Sequence, residues 1–161
     1  MTAPICKISC GDAPASSAPS PAPSPGAGGF IQSDSVSLEE NFTAAPDSTY
    51  QDIISLEMTT GDSDLLIWFH AVANIPQTGT SDPGTFRVLI DGVTTAVQRG
   101  LLTSTLEDRV DSVSASAKVP ISAGTHTITL QINPLDNTWT INAGTTPTVY
   151  GADLTVIEVA A

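Results

Sequence analysis

His70 and His126 are the only imidazoles in this chain of 161 residues, and either could serve as the proton carrier of a hydrolytic centre. Ser and Asp are so abundant that a Ser-His-Asp set can be drawn on paper almost anywhere. The local frames that such chemistry needs are absent, since no G-x-S-x-G elbow, H-E-x-x-H pair or P-loop occurs. His126 follows a turn at Gly124 and opens a strand, where an imidazole packs or hydrogen-bonds. Asp62 and Asp64 are hard oxygen donors in Thr60-Gly-Asp-Ser-Asp64, but the full D-x-D-x-D-G calcium spacing is missing and a solvated turn accounts for them. Cys6 and Cys10 lack the neighbouring Cys or His ligands of a zinc site, which leaves apolar packing or a disulfide, local or between chains. Trp68 and Trp139, with Tyr50 and Tyr150, offer flat faces for stacking on a sugar. Trp139 lies among the polar groups of Asp136-Asn-Thr-Trp-Thr140 and is the candidate glycan contact, weighed against packing; Trp68 reads as core or interface. The expectation is a non-enzymatic chain with no catalytic residues, no cofactor and no metal.

The elements that would position these residues divide the chain in two. Residues 11–29, GDAPASSAPSPAPSPGAGG, are Ala, Pro, Ser or Gly at 18 of 19 positions. Nothing there can bury a core, so no apolar gain offsets the entropy of ordering it. The expected layout is an N-terminal anchoring tip at 1–10, a tether at 11–29 and a β domain at 30–161. The tip carries Ile5, Cys6, Ile8 and Cys10, which are the expected shell-anchoring residues. At about 3.1 Å per residue in a Pro-rich extended form, such a tether spans roughly 60 Å.

The remaining residues are enough for one domain with a real core. Only 14% of the chain is charged, and Lys and Arg together number 5 against 17 acidic residues, a net charge of -12. Nucleic acid as a partner is excluded by the lack of clustered cations, and an anionic membrane is disfavoured for the same reason. The scattered acids serve solubility. No stretch approaches the roughly 18–20 apolar residues of a membrane-spanning helix, and Met1 to Cys10 has no continuous apolar run of the signal-peptide kind.

Frequent Val, Ile and Thr, with turn residues between short apolar runs, predict strands near Ser35–Phe42, Asp52–Thr59, Asp64–Val72, Thr85–Ile90, Val93–Gln98, Val110–Val119, Thr125–Ile132, Thr138–Ile141 and Ala152–Val159. Asp91-Gly92 is the clearest hairpin turn. Val113, Ala115, Ala117 and Val119 share one face of their strand, and Ile128, Leu130 and Ile132 point inward from theirs. The run Leu65 to Val72 is apolar on both faces. Leu65, Ile67, Phe69 and Ala71 form one; Leu66, Trp68, His70 and Val72 form the other and are the expected subunit interface, the economical cover where a sandwich offers only one face to its core, though a long loop could also serve.

The succession DIISLEMTTGDSDLLIWFHA, FRVLIDG, VPISAGTHTITLQ and GADLTVIEV resembles the TNF/C1q-like jelly-roll modules of bacteriophage virion proteins, of head-decoration and head-fibre type. The resemblance spans about residues 48–160. It implies an all-β fold, an antiparallel two-sheet jelly-roll sandwich preceded by an extended, irregular N-terminal arm. It further implies a homotrimer that decorates the exterior of a virion and binds a major capsid protein or another shell protein. The absence of a collagen-like or coiled-coil stalk favours decoration over a fibre. The alternative is a carbohydrate-binding adhesin or receptor-binding fibre tip.

Overall fold

Period-2 alternation gives each strand an apolar and a polar side, and two sheets stacked on their apolar sides satisfy all the strands at once. A computed structural model describes residues 29–47, 49–75, 83–102, 109–135, 137–143 and 151–161. Their secondary structure is all strand: β1 (Phe30–Ser37), β2 (Phe42–Ala44), β3 (Gln51–Thr60), β4 (Ser63–Ile75), β5 (Pro83–Ile90), β6 (Val93–Leu102), β7 (Arg109–Ile121), β8 (Gly124–Pro134), β9 (Trp139–Ile141) and β10 (Asp153–Ala160).

One sheet runs β1-β10-β4-β7, and the short pair β2-β9 continues the β10 side of β4 at Ala73 and Asn74. The other runs β3-β8-β5-β6, and every pairing is antiparallel. Strands distant in sequence are neighbours in both sheets, which is the pair of interlocked Greek keys that makes a jelly roll. The expected antiparallel two-sheet sandwich is therefore the observed one.

Leu65, Ile67, Phe69 and Ala71 of β4 and Ile128, Leu130 and Ile132 of β8 are at most 1% exposed and meet between the sheets. Phe69 stacks on Phe86 with ring centroids 6.1 Å apart, and Phe86 meets Trp139 at 6.4 Å. The alternating face Val113, Ala115, Ala117 and Val119 of β7 packs against this core.

Two local expectations change. The strand expected over Ser35–Phe42 is two strands, because the chain breaks at Leu38–Asn41 between β1 and β2. Pairing with β10 carries β1 back to Phe30 through residues too polar to announce a strand, and the last tie is Leu38 N–H donating to Ala152 O at 2.9 Å. Trp139 is fully buried on β9 and presents no open face to a sugar. It fits over Gly84 because any Cβ there would collide with the six-membered ring of the indole. The polar residues around Trp139 in sequence concealed a core position.

The Asp91-Gly92 turn has the expected geometry. Asp91 has φ 51° and Gly92 φ 78°, the left-handed values of a tight primed turn.

Candidate functional site

The two outer faces of the sandwich differ in kind. On the β8 sheet the outward side chains bond one another: Ser55 to Thr129 and Thr59 to Thr125, both at 2.9 Å. Arg87 Nε donates to Gln131 Oε1 at 2.8 Å, its guanidinium lies 3.5 Å from the Tyr50 ring centroid, and Gln131 Nε2 donates to Asp52 Oδ1 at 2.6 Å. On this face these polar side chains are partnered with one another.

The outer face of the β4 sheet is apolar at its centre. Because β4 alternates, burying Leu65, Ile67 and Phe69 forces Leu66 and Trp68 outward, where they are 38% and 48% exposed. The register sets Trp68 between Thr155 of β10 and Ser116 of β7, and Leu66 between Ile157 and Lys118. These residues line an open groove of about 610 Å³. The next row sets His70 between Asp153 and Ser114.

Charges on this face are paired. Lys118 Nζ lies 2.8 Å from Asp64 Oδ2. His70 Nδ1 lies 3.7 Å from Asp153 Oδ2 and 3.3 Å from Gly151 O. Burial pushes the Asp153 carboxyl above the usual carboxylate range, and His70 only partly opposes it. On a chain with a net charge of -12, this face offers apolar contact with little charge to desolvate.

Of the four residues expected at an interface, Leu66 and Trp68 stand exposed on this face, His70 is half-buried and Val72 is buried at 9%. Val72 therefore already has cover within the chain. The tip residues Ile5, Cys6, Ile8 and Cys10, and Tyr150, lie outside the described residues.

The acid and base groups have structural partners. His126 directs Nδ1 at Asp91 Oδ2 (2.7 Å) and Nε2 at Ser122 O (2.9 Å), so neither ring nitrogen faces a hydroxyl nucleophile. Asp62 Oδ1 accepts from Ala123 N–H at 2.9 Å, and Asp64 is engaged by Lys118. Among the described residues, no group of three or more His, Cys, Asp and Glu is placed to hold a metal.

Sequence reasoning missed Glu158. It is 1% exposed, and its carboxylate accepts from Gly61 N–H (2.9 Å), Ser63 Oγ (2.7 Å) and Gln32 Nε2 (2.6 Å). Burial alone would raise its carboxyl; the bonds from Ser63, Gly61 and Gln32 outweigh that and hold it below the usual range. A lone Glu on the inward register of Leu154-Thr-Val-Ile-Glu-Val159 was the available signal.

No protein-family model and no curated protein sequence matches the chain. Solved structures do. The T13 viral particle of infectious bursal disease virus is similar over 81% of this chain and 36% of that one, at 12% identity and a TM-score of 0.50. The VP2 subviral particle of the same virus is similar over 81% and 38% at 14% identity, with a TM-score of 0.47. Particles described as T=1, derived from that virus, give 81%, 36%, 13% and 0.49. The chain spans little more than a third of the length of these proteins, and at such identity the likeness to the T13 particle concerns the fold.

Proposed function

We propose that this chain is a non-enzymatic virion structural protein. Its jelly-roll head assembles as a homotrimer on the exterior of a capsid and is held to a major capsid protein or another shell protein by the N-terminal arm. The observation that carries this reading is the apolar centre of the outer face of the β4 sheet, with Leu66 and Trp68 exposed on an otherwise acidic chain. The jelly-roll order of the strands, together with the fold likeness to a chain of a viral particle, supports the class. The phage decoration or head-fibre role rests on the resemblance of Val119–Gln131 and Gly151–Val159.

The mechanism is mechanical. Ile5, Cys6, Ile8 and Cys10 dock on the shell, the tether at 11–29 supplies reach, and assembly of the heads turns three weak anchors into one strong attachment. Deleting residues 1–29 tests it. The truncated head keeps one cooperative thermal transition and loses incorporation into particles. A truncated protein that still occupies particles fully would move the docking site to the head and overturn the role of the arm.

A further inference from the structure

The three short turns at one end of the sandwich are tied to one another. Thr60 Oγ1, at the edge of the β3–β4 turn, donates to Ser122 O at 3.2 Å, and Asp62 of that turn accepts from Ala123 N–H. The β5–β6 turn reaches the same corner through Asp91. Its backbone N–H donates to Thr127 O and its Oδ1 accepts from Thr127 N–H, both at 2.9 Å. His126, 8% exposed, joins the two halves, with one ring nitrogen on Asp91 and the other on Ser122 O.

Both partners of the ring are acceptors, a carboxylate and a carbonyl. A neutral imidazole has one N–H and can satisfy only one of them, leaving a lone pair facing an oxygen less than about 3 Å away. The imidazolium satisfies both. We propose that protonated His126 is a latch joining the β5–β6 turn to the β7–β8 turn, and that loss of its proton breaks one of its two bonds and loosens a corner otherwise held by the Asp91–Thr127 bonds.

The surroundings favour the charged ring. Asp91 faces it from the β5–β6 turn, and Asp62 lies on the adjoining β3–β4 turn with its carboxylate on Ala123 N–H. Opposite it on β3 stands uncharged Met58. From β10, Glu158 reaches the β3–β4 turn but is engaged with Gly61, Ser63 and Gln32. The described cationic side chains of Lys118 and Arg87 are engaged elsewhere, on Asp64 and on Gln131 with Tyr50. The bond to Asp91, then the Ser122 carbonyl, raises the His126 pKa above its ordinary 6.5 against the effect of burial. A raised folded-state pKa means the latch contributes fully below that ordinary value and is lost as pH rises through the folded one.

Ring-proton NMR of the full chain tests the latch, with His70→Gln identifying the remaining imidazole as His126. His126 should titrate above 6.5, and Asp91→Asn should bring its midpoint down. Over the same pH interval, amide protection of Ala123 and Thr127, corrected for intrinsic exchange, should fall about tenfold or more while that of core Ile67 and Leu130 holds. A His126 midpoint at or below 6.5 overturns the proposal, as does unchanged protection at both turns. If Asp91→Asn does not fold, the wild-type titration and exchange profile decide alone.

Discussion

Glu158→Gln is the sharpest probe of what holds the β1 edge to the body of the sandwich. The carboxylate spends Oε1 on Gly61 N–H and Ser63 Oγ, and Oε2 on Gln32 Nε2, with 1% of the residue exposed. A glutamine keeps the shape and one acceptor, so the Gly61 and Ser63 bonds survive as neutral ones. Its amide then confronts the Gln32 amide, donor against donor. Gln32 can turn its oxygen inward only by giving up its 2.7 Å bond to Thr59 O. The loss is therefore one charge-assisted bond plus the weakening of two others, about 2–3 kcal/mol. For a domain of this size that lowers the melting temperature by roughly 6–12 °C. Glu158→Ala abandons all three donors and leaves a void, so it should cost about 4–6 kcal/mol, a large share of ordinary domain stability.

Thermal unfolding followed by circular dichroism reads these shifts, and repeating it across pH isolates the charge. The folded-state carboxyl is held below its ordinary 4.5, so its contribution is present above about that pH and is lost as pH falls through the folded value. The gap between wild type and Glu158→Gln should therefore be widest near neutral pH and narrow in acid. A gap under about 2 °C near neutrality, or one that stays constant into acid, would refute the reasoning.

Trp68→Asp, at a position 48% exposed, should leave the thermal transition of the head intact and dissociate the assembly in analytical ultracentrifugation; a wild-type chain that sediments only as monomer at micromolar concentration sinks the interface. Gly84→Ala drives a methyl into the Trp139 ring and should cost about 1–3 kcal/mol or more in chemical denaturation. Pairing it with Trp139→Leu should show strong positive coupling in a double-mutant cycle, and additive costs would mean that the close approach does not limit packing.

The alternation in Val113–Val119 and in Thr125–Ile132 is enough by itself to name the inward residues, because a strand sends successive side chains to opposite faces whatever its partner. The same rule splits Leu65–Val72 into a core set and an outward set. Asp91-Gly92 announces its turn because a primed hairpin needs positive φ at both positions. Composition alone separates residues 11–29 from the rest, since chain without large apolar side chains cannot offset its ordering entropy. Pairing is beyond the reach of periodicity. A period of two says which face a residue takes and nothing about which strand lies beside it, so the first part of β1, before Ser35, stays hidden until β10 supplies its hydrogen bonds. In sequence Trp139 reads as either a packed or a sugar-stacking ring, because its neighbours are polar; the glycine that admits it to the core lies 55 positions earlier, at Gly84. Glu158 reads in sequence as one of many scattered acids. Only when Gln32, 126 residues away, meets it beside the β3–β4 turn does it become a buried carboxylate with three donors, because long-range folding decides which charges leave water and what receives them.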